Sequence, residues 1–120
     1  MLYQYRKDYE KVTMGGLLSL IDSLDNMDLV EQQLNWYVEN DDHHLWLYRD
    51  PNNNWTGLVG TEERQGQLLI HQIICTPGEH KQNTYNQMLN ELNEAYPKLK
   101  IVASLANRRI CLEWENQLRE

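Results

Sequence analysis

Apolar and polar positions alternate along this chain with two different periods, and the switches between them mark out its elements. Leu2 to Arg6 alternates with period two and predicts a short strand. Tyr9 to Ile21 has a helical period. Gly15 and Gly16 sit inside it, where glycine lowers helix propensity, so a bend or a close backbone approach is expected there. A second helix is predicted from about Asp28 to Val38, with Val30, Leu34, Tyr37 and Val38 on one face. Ser23, Asp25 and Asn26 are its capping candidates. Glu39 to Asp42 is a polar stop.

The period then changes to two. His44 to Arg49 predicts a strand, Asp50 to Asn54 a turn, and Trp55 to Thr61 a strand containing two glycines. Glu62 to Gln67 reads as a further turn. Leu68 to Thr76 is the longest β-like run and is expected to be central. These three strands form an antiparallel meander. After Pro77-Gly78 the helical period returns, with Tyr85, Met88, Leu89, Leu92, Ala95 and Tyr96 in one stripe that Pro97 ends. Lys100 to Leu105 predicts a fifth strand. Asn107 is placed to cap a last helix carrying Ile110, Cys111, Trp114 and Leu118 on one face. A long strand, a Pro-Gly loop, a helix and another strand imply a parallel crossover. The fold class is therefore an α/β layered domain with a mixed sheet, in the order β-α-α-β-β-β-α-β-α.

At 120 residues the chain predicts one domain with a core of its own. It has no Phe, so its four Trp and seven Tyr fill the aromatic role, and each buried one needs a partner for its polar tip. The formal charge of −7 argues against nucleic-acid and anionic-membrane partners. No apolar run has the length of a membrane span. The opening residues resemble neither a signal nor a transit peptide. Cys75 and Cys111 read as two reduced, buried thiols, and the expected location is cytoplasmic.

Two stretches carry a resemblance. The first is Tyr5, Lys7, Tyr9-Glu10-Lys11, Met14-Gly15 and Leu17-Leu18-Ser19. The second is Ile70 to Leu92. Together with the element order they resemble the GNAT acetyltransferases, and within them the RibT-like proteins associated with riboflavin operons. The resemblance implies a GNAT-like sheet in which the strand at 68–76 splays from its neighbour and admits acetyl-CoA. It assigns the pantetheine arm to the backbone of Ile73, Ile74 and Cys75. It assigns the pyrophosphate to the loop His80-Lys81-Gln82-Asn83-Thr84-Tyr85, where free amides at a helix N-terminus favour anions. The family pattern there is Q/R-x-x-G-x-G/A. His80 replaces Arg or Gln, Asn83 the first Gly, and Tyr85 the second Gly or Ala. Tyr85 either packs into the core with Met88 and Leu89 or reshapes the groove.

The reaction implied is acyl transfer to an amine. His71, on the central strand, is a candidate base, since an imidazole accepts a proton near neutral pH; it also reads as a hydrogen-bonded strand histidine. Glu62 and Glu63 can activate the amine through water, or are solvated charges beside a turn. Asn107 matches a family position that contacts the cofactor, and also reads as an ordinary N-cap. Trp114 stands where the family places a tyrosine that protonates the leaving thiolate, and an indole N–H is no acid. His43 and His44 are adjacent in a strand and point to opposite faces, so no metal site is expected. GNAT enzymes usually carry a further strand or hairpin after the last helix; with this chain ending at Glu120, the acceptor pocket is expected to be either incomplete in the monomer or completed by a partner chain, as in a homodimer. Two functions are compatible with these residues. One is an acetyl-CoA-dependent N-acetyltransferase acting on a small-molecule or peptide amine. The other is a non-catalytic GNAT-fold binding or regulatory protein with a degenerate acetyl-CoA loop.

Overall fold

The computed structural model describes residues 1–21, 24–78 and 80–119. Five strands lie side by side in chain order: β1 (Leu2–Gln4), β2 (His43–Arg49), β3 (Trp55–Arg64), β4 (Gln67–Cys75) and β5 (Lys100–Ala103). The first four pair antiparallel, and β4 with β5 parallel. The crossover between β4 and β5 is α3 (Lys81–Ala95), and α4 (Arg108–Leu118) follows β5. On the other face lie α2 (Met27–Val38) and an irregular helical segment. The expected order of elements is present throughout.

The irregular segment shows what the glycine pair does. It begins with a 3-10 turn (Lys7–Tyr9) and a single α turn, α1 (Glu10–Val12), passes through a π turn (Thr13–Leu17), and ends in another 3-10 turn (Leu18–Leu20). A Cβ on Gly15 would meet nothing within 4 Å, so no close approach demands glycine there. Of the two expectations, the bend is the one realised. The wider π turn lets the consecutive Leu17 and Leu18 both point inward, each almost fully buried.

α2 buries Val30, Leu34 and Tyr37 as its period predicts, but Val38, at the last turn, is exposed. Its cap is Asn26, whose side chain accepts from the Leu29 N–H at 3.0 Å; Ser23 lies outside the described residues. At the far end of the sheet, α3 buries Tyr85, Met88, Leu89 and Leu92, while Ala95 is exposed. α4 buries Cys111 and Trp114 but leaves Leu118 exposed. Cys75 and Cys111 are free and buried.

One expectation is corrected. Glu62, Glu63 and Arg64 are not a turn: they extend β3, opposite Leu69, Leu68 and Gln67. Their charge suggested a loop, but the true turn is the pair Gln65-Gly66, both at positive φ (39° and 81°). A two-residue turn of that geometry matches the twist of a hairpin. The consequence is that Glu62 is a sheet residue with a cross-strand neighbour.

Candidate functional site

β4 is where the sheet divides. Its first half pairs with β5 from Gln67↔Lys100 to Ile70↔Ala103, and there the parallel ladder ends. The Ser104 N–H still reaches the Ile70 carbonyl at 3.0 Å. Beyond it the edge of Gln72 to Cys75 that faces away from β3 has no strand partner among the described residues. Asn107 closes the fork. Its Nδ2 donates to the His71 carbonyl at 2.9 Å and to Ser104 Oγ at 2.8 Å, and it makes no side-chain cap bond to α4. The residue read as an N-cap or a cofactor contact is thus, in this fold, the pin that holds β4 at its point of divergence.

A β-bulge lies at the same place. Gly60 faces Gln72 and Thr61 faces Ile70, which leaves His71 unmatched. An extra residue reverses the inward–outward alternation after it. Leu68 and Ile70 face α3 and α4 before the bulge; Ile73 and Cys75 do so after it. His71 and Gln72 therefore stand in succession on the α2 face, and both line a pocket of about 470 Å³ with Trp36, Gln32 and Gln33 of α2.

His71 is not a solitary strand histidine. Its Nε2 lies 2.7 Å from Glu62 Oε1 on β3, and its ring meets the edge of Trp36 at 4.9 Å between centroids. The other Glu62 oxygen accepts from Arg64 Nε at 2.6 Å. Glu62 is held well below the usual carboxylate range, at about 2, first by the Arg64 hydrogen bond, against burial, and then by His71. It stands as a carboxylate between the guanidinium and the imidazole. His43 stacks on Trp36 at 3.6 Å and bonds the Trp36 carbonyl through Nδ1 at 2.7 Å. Its Nε2 stands 4.0 Å from the same Glu62 oxygen. His44 turns to the opposite face, toward Glu63 and Tyr96.

At the open end of β4 the chain turns into α3. The first helical bond runs from the Thr84 N–H to the His80 carbonyl, so the amides of Lys81, Gln82 and Asn83 have no acceptor within the helix. A cleft of about 140 Å³ lies at Lys81, lined by His80, Lys81 and Thr84 with Cys75, Thr76, Thr56 and the carboxylate-bearing Asp50. Thr56 Oγ1 is buried beside it with no hydrogen-bond partner. His80, Lys81 and Asn83 are exposed. Gln82 turns away, donating to Asn86 Oδ1 and the Ile110 carbonyl, and so ties α3 to α4. Tyr85 is buried among Cys75, Met88 and Leu89, and burial pushes its phenol up to about 12. Trp114 donates its indole N–H to Asn90 Oδ1 at 2.8 Å inside the same core. An unpaired strand edge leading to free helix amides and two basic side chains fits an acyl-CoA. The strand suits an amide-bearing arm, and the helix start a pyrophosphate.

No protein-family model matches the sequence. An uncharacterised N-acetyltransferase of Bacillus methanolicus is 27% identical over 103 residues, covering 85% of this chain and 84% of the relative. Among solved structures, the aminoglycoside 6'-N-acetyltransferase AAC(6')-Ih of Acinetobacter baumannii superposes with a TM-score of 0.69 at 8% identity, over 98% of this chain and 87% of that one. AAC(6')-Iy, solved with the bisubstrate analogue CoA-S-monomethyl-acetylneamine, superposes at 0.71 with 9% identity, over the same shares of the two chains. This chain has the GNAT fold.

In a GNAT frame the features above fall along one line: the helix start at Lys81, the open edge of β4, and the His71 pocket. Sequence reasoning singled out His71, the loop and the strand edge; the edge is open beyond Ile70 and His71 lines a pocket. It missed Glu62 as the partner of His71, because three consecutive charges resembled a turn. It missed Gln72, Trp36 and Tyr37, because nothing in the pattern announces a bulge. One signal was available. Gly60 lies directly beneath the Tyr37 ring, where any Cβ would overlap the phenol, and a glycine inside a strand marks such approaches.

Proposed function

We propose that this protein is an acetyl-CoA-dependent N-acetyltransferase. The observation that carries the reading is the coincidence, at one bulge, of an open strand edge and a carboxylate-backed histidine facing a pocket. The backbone of Ile73, Ile74 and Cys75 would hold the pantetheine arm. The amides of Lys81 to Asn83, with the His80 and Lys81 side chains, would hold the pyrophosphate. Acetyl-CoA supplies the acetyl group as a thioester, and the amine nitrogen gains the C–N bond as the C–S bond breaks. His71 accepts the amine proton. Glu62, already ionised and hydrogen-bonded to the ring, orients it and stabilises the imidazolium. Trp36 and the glutamines of α2 form the wall against which the amine rests. The Trp114 N–H is committed to Asn90, so the thiolate leaves without an acid from that position.

Within the superfamily, the opening residues Tyr5 to Ser19 support the RibT-like group and a riboflavin-operon context. Two free, buried thiols suit a cytoplasmic site of action. Among the described residues, no helix is long and apolar enough to cross a membrane. Calorimetric titration with acetyl-CoA, followed by thiol release across an amine panel, tests the activity. Binding followed by amine-dependent release supports an enzyme. Saturable binding without release from any amine would favour the non-catalytic alternative, and no binding at millimolar acetyl-CoA would sink both the activity and the cofactor.

A further inference from the structure

The bulge that turns His71 toward α2 also turns Gln72 there, and the orientation of that carboxamide is set by its neighbours. Tyr37 Oη donates to Gln72 Oε1 at 2.8 Å. A phenol has one proton to donate, and here that proton goes to the carboxamide oxygen of Gln72. The ring is buried against Gly60, which faces Gln72 across the ladder. The Gln72 oxygen is therefore occupied. Its Nε2, with two N–H groups, has no hydrogen-bond partner among the described residues, and Gln72 lines the pocket with His71.

We infer that the amine accepted in this pocket carries a hydrogen-bond-accepting oxygen, a hydroxyl or carbonyl, a short spacer from the reacting nitrogen, and that Gln72 reads it. This deepens the acetyltransferase reading and rests on it. Consecutive residues on one face present a base and a donor side by side, so the nitrogen goes to His71 while the oxygen goes to Gln72. Trp36 offers a flat wall for the rest of the molecule. Tyr37 and Gly60 are positioning residues: they touch no substrate but hold the carboxamide with its N–H groups outward.

The test uses matched pairs, ethanolamine against propylamine and phenylethanolamine against phenylethylamine, in which only the oxygen differs. Two readouts run in parallel. One is acetyl-CoA-dependent turnover. The other is the side-chain amide proton resonance of Gln72, assigned by its loss in Gln72→Leu. The oxygen-bearing amine is expected to show a KM about tenfold lower, the scale of one hydrogen bond in a half-open pocket, and to move the Gln72 resonance where its isostere does not. Gln72→Leu abolishes the preference, and so does Tyr37→Phe, which lets the carboxamide turn. Gln72→Asn, too short to reach the phenol, keeps the chemistry but loses the orientation and gives no rescue. Equal KM values within both pairs and an unmoved resonance would overturn the inference while leaving the acetyltransferase reading intact. A resonance moved by acetyl-CoA alone would also overturn it, by assigning the donor to the thioester. Movement by the oxygen-bearing amines without turnover of any amine would overturn the acetyltransferase reading and leave the recognition standing.

Discussion

The two faces of β4 are made by the same nine residues and could hardly differ more. Toward α3 and α4 it presents Leu68, Ile70, Ile73 and Cys75, all buried in one apolar cluster. Toward α2 it presents Leu69, His71, Gln72 and Ile74, half-buried and, at the centre, polar. A regular strand would alternate strictly, and the second half would then carry its apolar residues outward. The bulge at His71 corrects the phase, so the α3 face remains continuous and the α2 face gains two neighbouring polar side chains. Within this strand one inserted residue thus separates packing from the proposed chemistry: the α3 side is dry core, and the α2 side, beside a second core cluster, carries the polar pair of the proposed working face. Predictions that break or sharpen that separation can be ranked by size.

The largest effect is expected on the dry face. Tyr85 stands where a GNAT loop carries a small residue, and its ring is buried with Cys75 and Met88. Tyr85→Gly should cost about 3–5 kcal/mol of stability, as large aromatic truncations do, measured by urea unfolding. It should leave acetyl-CoA affinity without any gain. A tighter complex in Tyr85→Gly would instead place the ring in the cofactor groove, and the dry face would no longer be dry at that end.

Next is the working face. His71→Ala should lower kcat/KM by roughly 10²–10⁴-fold, the range of a general base, with the far-ultraviolet spectrum of the native fold retained. A loss below threefold, with turnover intact, would remove His71 from the chemistry and leave its bond to Glu62 as architecture. The third effect links the faces through Gly60. A Cβ at that position overlaps the Tyr37 phenol, and Gly60→Ala should destabilise by about 1–3 kcal/mol, the usual cost of overpacking. At Gly57 the nearest obstacle is Met88 Sδ, at 2.9 Å, the end of a flexible side chain. Gly57→Ala should therefore cost less, and thermal melts of the two variants side by side would show whether the approach of Tyr37 to the backbone is as tight as the packing implies.

The dry face was legible in the sequence and the working face largely was not. The stripe Tyr85, Met88, Leu89 and Leu92 announces a helix packed on a sheet, because a 3.6-residue period survives any tertiary detail. The same reasoning placed the open edge at Ile73 to Cys75, through resemblance to a family that divides its sheet there. Periodicity overreached only at helix ends: Val38 and Leu118 keep phase with the buried face, but the helix runs past its partner before reaching them. On the other face, phase itself is the signal, and a bulge resets phase without marking the sequence. Glu62 suffered most. Its neighbours Glu63 and Arg64 gave it the composition of a loop, whereas cross-strand pairing with Leu69 and a bond to His71 make it part of a sheet. A run of charges is compatible with a strand when one face is solvated or when the charges answer one another, and here both conditions hold.

That mutual answering gives the smallest effect and the one with a defined direction in pH. Glu62 titrates at about 2 in the fold against an ordinary 4.5. A carboxyl lowered on folding binds its proton more readily in the unfolded chain, so its contribution is fully present above about pH 4.5 and is lost as pH falls through about 2. Glu62→Gln should flatten the acid limb of the stability curve across that window and change neutral stability only modestly. The larger part of the interaction is with Arg64, whose side chain is 58% exposed, and an exposed partner is screened by water and salt. Variants of the two partners separate their shares. Arg64 is the larger cause of the lowering, so Arg64→Ala should reproduce most of the flattening while leaving His71 and its turnover in place. If His71→Ala flattened the acid limb more than Arg64→Ala, the carboxylate would be held chiefly by the imidazole. The histidine and glutamate would then form one tightly linked unit of the working face.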